Sequence, residues 1–410
     1  MDAFSLRVSR TRTQRLARFL ALLCSVVHGH RDSTSKRFNR LLPSEAKSLS
    51  LLIISHFEDM HATVVAAAAS LCGHDVLLWS PPEASNTNSF SIRVGEGPRW
   101  TLDGSTYHAD SFEVVWNRRK FAVKVPSGIH EDDLTFAQSE TTEFFTNLWA
   151  VGAPSARLIN SLFGTVSSHW KLRQLVLAEE VGLRVPRTIS GNEREDIASF
   201  IGQNSARGSQ TIYKTFRPMA WINGNVSRAA YTSVVTREQI DQNAFIEAVP
   251  GIYQERIEKE YEVRATFFGE REYSARIDSA SMEIGKDDWR AEVNVSNYLS
   301  PTTLPDDVRE KCLDLMSRLS IEMGCFDFVV DTEENYFFLE VNPQGQFLWV
   351  ESECEEIKML RGFIDFIFPT TNHDNSKIVY SGIAKSDRHK NIAAEFSKRR
   401  MLWVPREGKQ

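Results

Sequence analysis

The sequence has 410 residues, 42% of them hydrophobic and 25% charged, and a net charge of −6. That length allows two or three domains with their own cores, and the composition is that of an ordinary globular protein. The mild acidity gives no reason to expect nucleic acid or an anionic membrane as partner, and no apolar run is long enough to span a bilayer. Five cysteines (Cys24, Cys72, Cys312, Cys325 and Cys354) are scattered without a CxxC spacing. They argue against a disulfide framework or a zinc site and fit a reducing cytoplasm.

Residues 1–48 differ in character from the rest. Arg7, Arg10, Arg12, Arg15 and Arg18 precede a short apolar run, and Arg31, Lys36, Arg37 and Arg40 follow it. Basic residues on both sides disfavour a signal peptide. A basic, disordered extension is expected, with an amphipathic surface helix as the alternative. From residue 49 the pattern becomes regular. An apolar strand at 51–55, an Ala-rich helix at 61–71 ended by Gly73, and a strand at 75–80 begin a small open α/β domain. Strands follow at 91–102 and 114–117, then a helix at 132–150 carrying Phe136, Phe144, Phe145 and Trp149.

A second unit starts near Asn160. Ser167 or Ser168 can cap a helix that runs to Glu180, with Gly182 as terminator and Pro186 beyond it. A helix at 193–203 leads to a strand at 211–216 with Lys214 in it, and strands at 231–236, 252–257, 262–268 and 272–278 follow. After a polar stretch at 283–300, a helix spans 305–323. Its apolar positions Val308, Cys312, Leu315, Met316 and Leu319 recur at helical spacing, and Gly324 closes it. A helix is expected at 355–367, and past Pro369 the chain turns polar and basic and reads as a peripheral tail.

Between those last two helices lies CFDFVVDTEENYFFLEVNPQGQ, residues 325–346. Two aromatic and β-branched runs flank the polar run Thr332-Glu333-Glu334-Asn335, which reads as a hairpin. With the loop symmetric about Glu333 and Glu334, Asp327 falls opposite Glu340, and Asn342 shares the face of Glu340. Carboxylates opposed across a sheet repel, and a bound cation removes that penalty. Two carboxylates and an amide oxygen form a hard donor set suited to Mg²⁺ or Mn²⁺ shared with phosphates.

Other charged residues are individually unremarkable. Lys171 reads as a solvated helix lysine, and Lys214 as one snorkelling from a strand end or neutralising a buried anion, the first being the commoner case. Gln254, Glu255, Arg256 and Ile257 could offer backbone groups to a base edge or form an ordinary strand. Glu262, Arg264, Arg276 and Arg290 read as exposed-face charges.

Taken in order, these residues resemble the ATP-grasp superfamily. His169-Trp170-Lys171-Leu172-Arg173-Gln174-Leu175, Asp288-Trp289-Arg290 and Phe338 to Gln346 are similar to the ATP-grasp ribosomal peptide maturases, the graspetide or microviridin-type ligases. The segment from His56 to His61, with Trp116-Asn117-Arg118-Arg119, resembles their pre-ATP-grasp domain, and the likeness runs from about residue 51 to 368. It implies an open α/β pre-ATP-grasp domain at 49–159 and a two-lobed ATP-grasp fold of α+β type, with lobes at 160–237 and 238–368 and a tail at 369–410. It also implies Lys171 and Lys214 on ATP phosphates, Gln254 to Ile257 as the adenine-side hinge, and Glu262 near the ribose. Asp327, Glu340 and Asn342 would hold Mg²⁺ or Mn²⁺, and Arg290 with Arg276 would face the γ-phosphate. The lid stretch 217–232 has only Gly224, where relatives are often glycine-rich.

The implied activity is an ADP-forming ligase that activates a carboxylate as acyl phosphate and joins it to an amine or hydroxyl. The implied substrate is a precursor peptide with a leader segment, in the cytoplasm, without nucleic acid or a membrane span. The resemblance is also compatible with a homodimer. The rival readings are a ligase for a free amino acid or a protein tail, a module that binds ATP without turnover, and a phosphotransferase.

Overall fold

The first apolar run, Leu-Leu-Ile-Ile, leaves no polar position for a solvated sheet face, so it belongs in a strand covered on both sides. In the computed structural model it is the strand Leu49–Ile54, centred in a five-stranded sheet. Val76–Trp79 and Phe112–Asn117 flank it in parallel, and Arg157–Ile159 extends the sheet beyond Phe112–Asn117. The structure describes residues 49–80, 89–93, 97–102, 105–108, 111–119, 125, 128–151, 156–216, 220–223, 226–229, 232–242, 246–282, 295–369, 378–399 and 401–407. The expectations for residues 1–48 and for Asp287, Asp288, Trp289 and Arg290 lie outside them.

Asp59 caps the helix Met60–Leu71 by accepting from the His61 amide at 3.0 Å. Every residue from His61 to Ser70 is buried, because the helix is enclosed by the first sheet and by the helices Met359–Ile367, Tyr380–Ala384 and Asp387–Arg399. The segment expected to be a peripheral tail is therefore part of the core. Tyr380, Ile383, Ile392, Phe396 and Val404 join its largest apolar cluster, and Met401–Val404 pairs antiparallel with Val76–Trp79 as the sheet's edge strand. Its average polarity hides an amphipathic helix with Ile392 and Phe396 four residues apart on one face.

The strands Ser233–Val235, Thr211–Lys214, Gly251–Glu255 and Thr188–Gly191 form a four-stranded antiparallel sheet in that order. Tyr253, Ile197, Phe200, Ile201 and Ile240 pack together on one of its faces, where the helices Arg194–Ala206 and Arg237–Gln242 lie. Within the stretch expected to be the lid, Ala220–Asn223 and Val226–Ala229 pair antiparallel. Only residues 256–258 separate Gly251–Glu255 from Lys259–Phe268, the central strand of a second five-stranded antiparallel sheet. That sheet runs Leu299–Thr302, Arg271–Ile277, Lys259–Phe268, Met323–Asp331, Tyr336–Asn342, and packs one face on the helix Asp306–Leu319. An open α/β domain thus precedes two sheet-and-helix lobes.

Two helix boundaries differ from the sequence reading. Ser161, not Ser167 or Ser168, is a cap, and it serves a separate short helix, Leu162–Ser167; Lys171–Glu180 then starts without a side-chain cap. Asp306–Leu319 ends at Ser320, which adopts the left-handed conformation with φ 57°. Gly324 is instead inside Met323–Asp331, where a Cβ would come within 2.8 Å of Val341 Cγ2. Among the described residues no helix is long and apolar enough to cross a membrane.

Candidate functional site

The hairpin forms, with one departure. Val330 pairs with Tyr336, Val329 with Phe337 and Phe328 with Phe338, so the loop is centred on Glu333 rather than between Glu333 and Glu334. Leu339 is then an extra residue, a β-bulge, after which Asp327 pairs with Glu340 and Cys325 with Asn342. The bulge lets Phe338 and Val341, three residues apart, both face the core. Glu340 and Asn342 are thereby turned to the opposite face, with Asp327.

The charge on that face is already compensated by the protein. Arg264, in register with Asp327 on the neighbouring strand, donates from Nη1 to both Asp327 oxygens at 2.7 and 2.8 Å. Both side chains are buried. Burial opposes the guanidinium charge, yet the Asp327 carboxylate prevails and raises the proton affinity of Arg264. Lys171 lies 3.5 Å from Glu340 Oε2. The cation inferred from repulsion alone is therefore not required by the isolated protein. Glu262 shares the face, its carboxyl pushed up by burial and opposed by its bond to Lys259.

Lys171 also joins the two lobes, because its Nζ donates to the Thr215 carbonyl at 3.3 Å, just past Thr211–Lys214. Lys214 and Gln254 lie on the face of the four-stranded sheet opposite Tyr213 and Tyr253. There Lys214 Nζ donates to Gln254 Oε1 at 2.7 Å, and Gln254 Nε2 to Thr188 Oγ1 at 2.9 Å. In the segment expected to be the hinge, the Glu255 amide is bonded to the Arg187 carbonyl and the Arg256 amide to that of Gln210, both at 2.8 Å. Those two N–H groups are thus engaged by neighbouring chain, and Ile257 follows them half-buried.

Arg276 is not brought to this face. It pairs with Val263, which pairs with Phe328, and both of those pack on the helix side of the sheet. Its guanidinium stacks 3.7 Å above the Tyr261 ring and bonds to Asp278 at 2.7 Å. Strand alternation is the physical reason, since the even spacing from Glu262 to Arg276 does not survive the turn between Lys259–Phe268 and Arg271–Ile277. Arg290 lies outside the described residues.

Three positions escaped the sequence reading as site residues. Arg264 is the buried partner of Asp327. Gln174 grips the edge strand between Glu340 and Asn342, accepting from the Val341 amide at 2.8 Å and donating to its carbonyl at 2.9 Å. The spacing Lys171-x-x-Gln174, one face of a helix, was its only local signal. The third is a cluster at the end of the first sheet, where Asp59 lies 3.5 Å from Arg118 Nε and 3.6 Å from Arg119 Nε.

In that cluster His61 Nε2 accepts from the amides of Phe347 and Leu348, both at 3.2 Å, so the ring is neutral there. Burial, then the Arg118 charge, hold its pKa down at about 3. An unfolded histidine binds its proton near pH 6.5, so the unfolded chain gains a proton that the folded one refuses. This contribution to stability is present above about pH 6.5 and lost toward about pH 3, at up to about 1.4 kcal/mol per pH unit. Urea midpoints measured from about pH 7 to about pH 5 should fall in the native protein and fall less in His61→Gln. Equal falls in both would show that His61 does not stay neutral.

No protein-family model matches the sequence, and no curated protein matches it. Solved structures do. The RiPP-associated ATP-grasp ligase of Chryseobacterium gregarium, solved with ADP and a leader and core peptide, superimposes with a TM-score of 0.68 at 25% identity, over 78% of this chain and 96% of that one. The macrocyclase MdnC of Microcystis aeruginosa, bound to precursor peptide MdnA, gives 0.67 at 22% identity over 78% and 100%. MdnB from the same organism gives 0.63 at 20% over 78% and 99%. The chain thus has the fold of these ATP-grasp ligases.

Proposed function

We propose that this protein is an ATP- and Mg²⁺-dependent ligase that macrocyclises a ribosomal precursor peptide, joining acidic side chains to amines or hydroxyls. The observation that carries the reading is the position of Lys171, whose Nζ touches the first lobe at Thr215 and the second at Glu340. Lys171 thereby links the end of the strand that carries Lys214 to a carboxylate of the hairpin, the kind of juxtaposition a triphosphate with its metal requires. The likeness to a ligase solved with ADP, leader and core peptide supports the peptide substrate.

The donor set fits Mg²⁺ or Mn²⁺. Asp327, Glu340 and Asn342 present oxygen atoms only, and burial pushes the nearby Cys325 thiol up, so it stays protonated and outside the set. When bound, the metal would offset phosphate charge. Lys171, on the helix packed against the hairpin, and Lys214, on the first lobe, would hold the phosphates, and residues 254–257 with Glu262 would receive the nucleoside. The γ-phosphoryl group would pass to a peptide carboxylate, breaking its bond to ADP. An amine or hydroxyl would then attack the acyl carbon, lose its proton, and expel phosphate.

The test is incubation with ATP, Mg²⁺ and short peptides encoded beside the gene, followed by mass spectrometry. Loss of one water per linkage with ADP formation is the expected result. A gain of phosphate would point to a phosphotransferase, and ADP formation without peptide change to a small-molecule substrate.

A further inference from the structure

Residues 343–348 follow the hairpin directly, and partners far away in sequence hold this segment in place. Arg118 Nη1 donates to the Gln344 carbonyl at 2.6 Å, and the Gln344 side chain donates to the Asn117 carbonyl at 3.2 Å. His61 accepts from the Phe347 and Leu348 amides, and Asn160 donates to the Pro343 carbonyl at 2.7 Å. Gly345 lies so close to the hairpin that a Cβ there would come within 2.1 Å of Cys325 Sγ. Gln344 in turn fixes a donor of the site, because its amide bonds to Asn342 Oδ1 at 3.0 Å.

The cost of this arrangement implies more than domain adhesion. Arg118 is 1% exposed, and its Nε and Nη2 have no hydrogen-bond partner among the described residues. A guanidinium gives up that bonding only for a compensating contact, here the Gln344 carbonyl and the nearby Asp59 charge. The first sheet lends itself to this role. Leu49–Ile54 is flanked by Val76–Trp79 on one side and Phe112–Asn117 on the other, so its topology reverses there. Asp59, His61 and Arg118, which follow the carboxyl ends of those central strands, meet one another there.

We propose that His61 and Arg118 are positioning residues for the oxygen donors Glu340 and Asn342, acting through the backbone of residues 343–348; the inference rests on the ligase reading above. They set the donors' geometry without touching nucleotide or metal. Their loss should therefore weaken the Mg²⁺-dependent part of nucleotide binding and spare the rest.

The experiment is calorimetric titration of the full-length protein with ADP over a series of Mg²⁺ concentrations. His61→Ala should raise the Mg²⁺ needed for half-maximal binding by about 10- to 100-fold, the usual effect of losing an outer partner of a metal site. ADP affinity without Mg²⁺ should not change. His61→Gln, whose side-chain oxygen reaches the Nε2 position, should restore the native Mg²⁺ dependence, and His61→Asn should not. Arg118→Lys, too short to reach Gln344, should behave as His61→Ala and carries the test should that variant fail to fold. A folded variant with unchanged Mg²⁺ dependence, or with affinity lowered equally with and without Mg²⁺, would overturn the inference. A native protein whose ADP binding ignores Mg²⁺ would remove the ligase reading itself, and this inference with it.

Discussion

Glu340→Gln should abolish turnover, lowering ADP formation by at least about 100-fold, while the fold persists. The substitution keeps the side chain's size and one oxygen but removes the charge that makes Glu340 a hard anionic donor. Its effect on stability should be small. The Glu340 side chain is 33% exposed and its ion pair with Lys171 spans 3.5 Å. A part-exposed pair of that kind contributes about 0–1 kcal/mol. Steady-state kinetics and a thermal melt on the same sample separate the two effects. Retained turnover would show that Glu340 is not a ligand.

Arg264→Met should give the largest loss of stability, about 3–5 kcal/mol, because it takes the guanidinium away from the buried Asp327 carboxylate. Both oxygens of Asp327 accept from one guanidinium nitrogen, at 2.7 and 2.8 Å. Removing both charges, in Arg264→Met with Asp327→Leu, should recover most of that loss, since a buried pair replaced by apolar side chains is often neutral. Urea unfolding without nucleotide or metal measures this. Adding Mg²⁺ and ADP should restabilise the single variant by binding only the folded state. A loss below about 1 kcal/mol in Arg264→Met would mean that the Arg264–Asp327 pair does not hold this part of the fold together.

Much of the site was legible locally because its parts are short-range. The hairpin's two apolar runs and polar loop put Asp327, Glu340 and Asn342 on one face, and the structure has them there. The loop centre was misplaced by half a residue, and the bulge at Leu339 made good the error. Nothing in residue type marks a bulge, which arises because Phe338 and Val341 both seek the core.

Other features were hidden because they are non-local. Arg264 meets Asp327 across 63 residues of sequence, and His61 meets Phe347 across 286. No periodicity reports such pairings. Arg276 was placed by its order in the chain, whereas its role depends on which side of a strand it occupies. The segment past Pro369 looked peripheral because two buried residues, Ile392 and Phe396, are diluted by a charged helix face. Average composition describes the solvated side of such a helix and misses the side that packs.

The central claim is that ATP is spent on activating a carboxylate. It is tested most directly by labelling the acidic side chains of a peptide substrate with heavy oxygen and examining the phosphate released. Activation through an acyl phosphate predicts one labelled oxygen in inorganic phosphate for each linkage formed. Unlabelled phosphate accompanying linkage, or phosphate retained on the peptide, would contradict it.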